Sequence, residues 1–309
     1  MKRSDIKSKK PAKFAVQFTS LLLILLLAVS GAGCLSLTNE NRIDVSGSNT
    51  VLPLVHALAE AYMKENKEIG ISLRGGGSGT GIAALASGTA DVAMSSRDIR
   101  ANEIANAQNN GVEIVEHAIA IDGITIIVHP SNPVTSLTID QLQKIYSGEI
   151  RNWKEVGGED LTIAAIARDS SSGTQEYFNE AVMRGVDFRL DLITQVATGA
   201  VMQEVAQNPR AIAYIGVAYQ NPRIKVIGIN VNGTVVMPTE ETILSGDYPL
   251  SRPLFLYTDK EKKQAVADFI AFILSADGQE IVRGMGYAPV WVSDAVQVSD
   301  EEISDTDVS

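Results

Sequence analysis

Apolar positions in this chain alternate between two rhythms. Short runs rich in Val, Ile and Ala at 43–45, 69–73, 90–94, 112–128, 161–167, 211–217 and 224–229 read as strands. Between them, over 53–66, 82–87, 101–109, 138–146, 175–183, 200–208 and 262–274, apolar residues recur every three to four positions, which predicts amphipathic helices. Strands alternating with helices predict an α/β fold with mostly parallel sheets flanked by helices. The run 112–128 is broken at Asp122-Gly123, where the chain is expected to cross between lobes. Residues 42–122 and 254–292 would then form one lobe and 123–253 the other. Two crossings would make the hinge, and a small ligand would lie in the cleft.

Three strand-to-helix junctions share an unusual composition. They are Ser46-Gly47-Ser48-Asn49-Thr50, Arg74-Gly75-Gly76-Gly77-Ser78-Gly79-Thr80-Gly81 and Arg168-Asp169-Ser170-Ser171-Ser172-Gly173-Thr174. The first N–H groups of a helix have no intrahelical acceptor, and the helix dipole adds partial positive charge there. Hydroxyls and glycines at such a junction therefore make a site for an anion. Arg168 adds a planar fork that fits a tetrahedral oxyanion. Any one loop alone reads equally well as a Ser/Thr helix cap; three of them point to convergence on one anion. A fourth strand end, Ser95-Ser96-Arg97-Asp98, carries hydroxyls beside a carboxylate, and open α/β sheets place ligands at such carboxyl ends.

The 309 residues suit two domains, and 45% hydrophobic with 20% charged content is that of a folded soluble chain. The net charge of −11 includes about five positive charges within residues 1–33, leaving about −16 on the rest. So acidic a chain is unsuited to nucleic acid, and local donors must hold any bound anion against the global field. The basic start, the apolar run 21–29 and Ser30-Gly31-Ala32-Gly33-Cys34 fit an export signal over 1–33. Cys34 is the single cysteine, which excludes an internal disulfide and a cysteine metal site. Its setting resembles a lipobox, with Gly31 where the bacterial pattern has leucine, so Cys34 is the expected lipidation site. A plain cleaved signal and an uncleaved anchor are the other readings, and all three place the rest outside the cytoplasmic membrane. Residues 34–41 read as a polar tether and 293–309 as an acidic, disordered tail.

The four motifs above, with Ile145-Tyr146-Ser147-Gly148-Glu149-Ile150, Asn152-Trp153 and Ile212-Ala213-Tyr214, resemble the phosphate-binding protein of the Pst-type ABC transporter over 43–292. The resemblance implies a two-lobed type II periplasmic-binding-protein fold closing on one dehydrated phosphate. It also implies an ABC permease as partner, a monomer tied to the membrane only through its N-terminal anchor, and no cofactor. Ser48, Thr50 and the backbone of Val51 correspond to the first loop's ligands and Ser78 to the second's. Arg168, Ser172, Gly173 and Thr174 correspond to the lead loop. Some members use an aspartate after the third strand to accept a proton from phosphate. Here that position is Ser96, and Asp98, two residues on, is the expected carboxylate, with Arg97 pairing it or the ligand.

Two other readings compete. The same fold could serve sulfate, molybdate or tungstate, which offer no proton; Asp98 reaching the ligand would discriminate against them. A hydrolase acting on phosphate esters would need a nucleophile elbow and a histidine base. Gly76-Gly77-Ser78-Gly79-Thr80 lacks the second glycine of that elbow, and His56, His117 and His129 read as structural. Ile82 after Gly81 excludes a P-loop, which requires lysine there.

Overall fold

Of the strands that lead into the cleft loops, Val92–Ser95 and Ala164–Arg168 are buried on both faces, which is why they read as unbroken apolar runs. In the computed structural model, which describes residues 39–290, a turn at Asn39–Asn41 leads into β1 (Arg42–Gly47), α1 (Leu52–Glu65), β2 (Gly70–Gly75), α2 (Ser78–Ala86), β3 (Val92–Ser95) and α3 (Ala101–Asn109). The long β4 (Ile114–Val128) follows, then β5 (Ser136–Leu137), α4 (Ile139–Ser147), β6 (Ala164–Arg168) and α5 (Gly173–Phe178). Next come β7 (Ile193–Gln195), α6 (Thr198–Gln207), β8 (Ala211–Gly216), β9 (Lys225–Val231), β10 (Thr234–Val236) and α7 (Glu240–Leu244). The chain returns through β11 (Ser251–Asp259), α8 (Gln264–Leu274) and α9 (Ala276–Gly284). The expected export signal, the Cys34 lipidation site, most of the tether and the acidic tail lie outside the described residues.

The sheet order is β2-β1-β3-β11-β4-β8-β6-β7. β1 pairs parallel with β2 and β3, as βαβ crossovers require, and β6 pairs parallel with β7 and β8. The centre departs from the parallel expectation, because β11 runs antiparallel to both β3 and β4, and β4 antiparallel to β8 and β9. β4 was expected to break at Asp122-Gly123; it runs straight through. Its first part pairs β11 as far as Gly123↔Ser251, and from Ile124↔Gly216 it pairs β8. Continuity is possible because Asp122 is charge-paired within the strand pair and because Gly123 leaves room for Ile243. A Cβ at Gly123 would lie 2.7 Å from the Ile243 Cδ1.

Apolar burial is divided on either side of this switch. Ile43, Leu54, Leu58, Met94, Leu256 and Phe269 belong to one cluster, with Ile82, Leu85 and Tyr257 forming another on the sheet's opposite face. Beyond Gly123, Ile126, Leu142, Tyr146, Trp153, Phe178 and Tyr214 form the main cluster, and Ile127, Ile166, Val201 and Ile215 the opposite face. Each sheet is thus covered by helices on both sides.

Candidate functional site

β1, β2, β3 and β6 all end at one edge, and their following loops meet there. Ser48 Oγ donates to Ser96 Oγ at 3.0 Å, and Ser78 Oγ lies 3.4 Å from the same oxygen. The Ser96 N–H donates to Ser78 Oγ at 3.1 Å, and the Thr50 N–H to Ser48 Oγ at 3.2 Å. From the other lobe, Thr174 Oγ1 meets Thr50 Oγ1 at 2.9 Å. Ser48, Thr50, Ser78, Ser96, Ser172 and Thr174 are all buried, as is Val51, which stands at the N-cap of α1. Gly173 is required at its place, since a Cβ there would sit 2.3 Å from Ser78 Oγ and 2.7 Å from Ser96 Oγ. Gly77, at φ 103°, is likewise pressed against the opposite lobe, its would-be Cβ 2.4 Å from the Ser171 carbonyl oxygen. Ser171 Oγ donates across the cleft to the Gly76 carbonyl at 3.1 Å, and Asn49 Nδ2 to the Val196 carbonyl at 3.2 Å.

The lead loop is fixed to its own core. Phe178 of α5 stacks on Tyr214 of β8 with ring centroids 3.9 Å apart, a contact worth about 1 kcal/mol beyond burial. The Arg168 N–H donates to Gln175 Oε1 at 3.1 Å, and the Tyr214 hydroxyl donates to the same oxygen. Burial holds the Tyr214 hydroxyl well above its ordinary value, so it is a neutral donor. Ser172 Oγ caps α5 by accepting the Gln175 N–H at 3.4 Å. α5 begins two residues earlier than its periodicity predicts and α2 four residues earlier, so Gly173, Thr174 and Ser78 are first-turn helical residues rather than loop residues.

Arg168 is buried, and burial lowers its guanidinium from its ordinary value while Asp169, 3.9 Å away, opposes that shift. Three of its N–H groups are taken by lobe-two acceptors: the Gln195 carbonyl at 3.2 Å, the Val196 carbonyl at 3.0 Å and Thr198 Oγ1 at 3.1 Å. Asp98 departs from expectation. Its residue is exposed, and its described contact is through the backbone carbonyl, which accepts from Arg97 Nη1 at 2.7 Å. Arg97 is turned away as well: it grips Glu103 through two bonds of 2.8 and 2.7 Å and forms an ion pair with Glu176 of α5. The exposed Asp98 carboxylate keeps its hydration, whereas these two glutamates satisfy the buried arginine.

Two residues that periodicity passed over lie at the floor of the same edge. Asp122 of β4 and Arg252 of β11 are opposite neighbours in the strand pair, both buried, with Nη2 to Oδ2 at 2.9 Å and Nε to Oδ2 at 3.2 Å. Arg252 also donates to the Ser96 carbonyl, the Gly173 carbonyl and Thr174 Oγ1. Burial pushes the Asp122 carboxyl up and Arg252 opposes the shift. The signal was present in Ala-Ile-Ala-Ile-Asp122-Gly-Ile-Thr-Ile-Ile-Val, because a lone carboxylate inside a buried run demands a buried cation. The histidines lie elsewhere: His117 contacts Thr258, His129 contacts Ser131, and His56 is exposed beside Glu60.

The profile of the PBP superfamily domain matches residues 36–277. The phosphate-binding protein PstS of Borreliella burgdorferi is 34% identical over 279 residues, spanning 86% of this chain and 97% of that one. The PstS of Staphylococcus saprophyticus is 34% identical over 273 residues, spanning 84% and 85%. The chain belongs to the PstS family. Among solved structures, a phosphate-bound crystal structure from Clostridium perfringens superposes with a TM-score of 0.75 at 33% identity, covering 81% of this chain and 100% of that one. An ABC-type phosphate transport receptor from Vibrio cholerae gives 0.66 at 32%, covering 80% and 99%. The fold is accordingly the two-lobed type II arrangement, with β4 and β11 as the strands shared by its lobes.

Proposed function

We propose that this chain is a non-enzymatic, extracytoplasmic receptor that captures inorganic phosphate between its lobes and delivers it to an ABC permease for import. The observation that carries this reading is the meeting of buried hydroxyls across the two lobes, Thr174 on Thr50 and the Gly173 backbone against Ser78 and Ser96, in the loop that also holds the buried Arg168 and Ser172. A dehydrated oxyanion must have its oxygens saturated with donors, because an unpaired buried charge is very costly. Hydroxyls and the N–H groups of Val51, Gly173 and Thr174 supply donors without excess charge, and the two remaining N–H groups of Arg168 supply charge-assisted bonds. Residues 42–122 with 254–292 act as one lobe and 123–253 as the other. A monomer anchored through Cys34 fits this role, and no helix among the described residues is long and apolar enough to cross a membrane.

The exposed Asp98 favours one second reading, a receptor that also accepts unprotonated oxyanions, since the expected carboxylate acceptor lies outside the hollow. The names of the PstS relatives and the phosphate in the Clostridium perfringens structure support phosphate. Calorimetry of ligand-free protein with phosphate, sulfate and molybdate decides the matter. Tight phosphate binding with weak sulfate binding is expected; equal affinities would replace phosphate with a broader oxyanion receptor.

A further inference from the structure

A guanidinium has five N–H donors, and at Arg252 all five have acceptors. Nε and one Nη2 hydrogen go to Asp122 Oδ2, and the other Nη2 hydrogen to Thr174 Oγ1 at 2.9 Å. The two Nη1 hydrogens go to the Ser96 carbonyl at 2.7 Å and the Gly173 carbonyl at 3.3 Å. Ser96 follows β3 in the first lobe, whereas Gly173 and Thr174 open α5 in the second, and Arg252 itself stands on the shared strand β11. Separating the lobes must remove at least one of these three bonds. The bond into Thr174 Oγ1 has a further consequence. With that oxygen accepting from Arg252, its own hydrogen is directed elsewhere, to Thr50 Oγ1 or to an anion in the hollow.

The geometry points to Arg252 as a closure-sensing positioning residue: a hinge arginine, held by Asp122, that is saturated only with the lobes together and turns Thr174 into a donor for the captured oxyanion. It acts through the loops, so its contribution belongs to the closed complex and not to the encounter. Asp122 neutralises it, which leaves Arg168 as the charge that faces the ligand, and the Val217 N–H donating to Asp122 Oδ1 at 3.0 Å keeps the carboxylate in place. This inference rests on the phosphate reading and deepens it.

The test measures dissociation of radiolabelled inorganic phosphate into an unlabelled chase, together with the equilibrium affinity, for the wild type, Arg252→Lys, Arg252→Met and Asp122→Asn. Dissociation from both Arg252 variants is expected to quicken by about tenfold or more while association stays within about threefold, because closure governs the off-rate. Asp122→Asn, which keeps the arginine but loosens its anchor, is expected to fall between. Should Arg252→Met fail to fold, Arg252→Lys carries the test by the same criterion. Wild-type dissociation rates in the variants, or a fall in association as large as the rise in dissociation, of the kind a scaffold residue gives, would overturn the clamp while leaving phosphate capture intact. Failure of the wild type itself to bind phosphate would remove both.

Discussion

At the cleft the two lobes present different chemistry. The first lobe offers Ser48, Thr50, Ser78 and Ser96, all neutral hydroxyls, and its nearby buried cation Arg97 is committed to Glu103 and Glu176. The second offers Ser172 and Thr174 together with Arg168, whose neighbouring carboxylate, Asp169, is 3.9 Å away and partly exposed. On the phosphate reading, charge is met from one side, and donor geometry is completed from the other. Since the chain as a whole is strongly acidic, Arg168 has on that reading to overcome the global repulsion of an anion, Arg97 and Arg252 being paired with carboxylates.

The harshest way to break this asymmetry is Arg168→Ala. It removes the charge from the lobe that carries it, and loss of one partner of a buried charged contact typically costs several kcal/mol. Phosphate affinity measured by calorimetry should fall by about 100-fold or more. An unchanged affinity would mean that Arg168 serves only the Gln195 and Val196 carbonyls and that the asymmetry has no bearing on binding. Next in size are Thr50→Val and Thr174→Val, which keep the volume and delete one hydroxyl from each lobe. Each should weaken binding about tenfold, the worth of a buried hydrogen bond to a charged group. Because the two hydroxyls meet at 2.9 Å, the double variant should lose less than the sum of the singles. Strict additivity would show that they act on separate ligand atoms.

How far this difference could be read beforehand depends on the kind of signal each residue leaves. The alternation of runs and periodic stretches marked most elements, though not β5, β7, β10, β11, α7 or α9, and hydroxyl-rich junctions marked Ser48, Thr50, Ser78, Ser172 and Thr174, because local chemistry follows from local sequence. Ser96 fell out of the resemblance and does stand in the hydroxyl cluster. What remained hidden were pairings across the fold. Asp122 and Arg252 are 130 positions apart and meet only because β4 and β11 lie antiparallel. Glu176 lies within the predicted helix 175–183, and it pairs with Arg97 and Arg100 because α5 faces the other lobe. Asp98 stands outside the hydroxyl cluster for the converse reason: adjacency in sequence to Ser96 says nothing about which way the chain turns after a strand.

The rim of the cleft sharpens the contrast with a smaller effect. Glu176, on the second lobe, bridges to Arg97 and Arg100 on the first, so this network adds attraction between lobes without touching the hollow. Glu176→Gln should weaken phosphate binding by only about three- to fivefold, since the buried Arg97 keeps Glu103 as its partner and the exposed Arg100 end of the bridge is worth about 1 kcal/mol or less. Raising salt should narrow the gap between variant and wild type, because screening acts on the charged pair alone. A gap that persists unchanged in high salt would assign Glu176 a packing role.

The smallest effect belongs to Asp98→Asn. Proton reading by Asp98 would require its carboxylate to reach an anion held among Ser48, Ser78 and Ser96. The residue is exposed, the chain after Ser96 is held by the Arg97 N–H on Ser95 Oγ at 3.4 Å, and the Ile99 N–H is tied to the Tyr257 hydroxyl at 3.0 Å. Both bonds fix the turn with Asp98 outward. Neutralising an exposed carboxylate near an anion site removes a weak, screened repulsion, so phosphate affinity should change by less than about twofold and rise if it moves at all. The ratio of phosphate to sulfate affinity should stay the same, because any proton on the ligand must then be accepted by a hydroxyl oxygen such as that of Ser96. A tenfold loss of that ratio in Asp98→Asn would show that the turn re-forms around the ligand, and it would return the first lobe a charged role that its hydroxyl-only face now denies it.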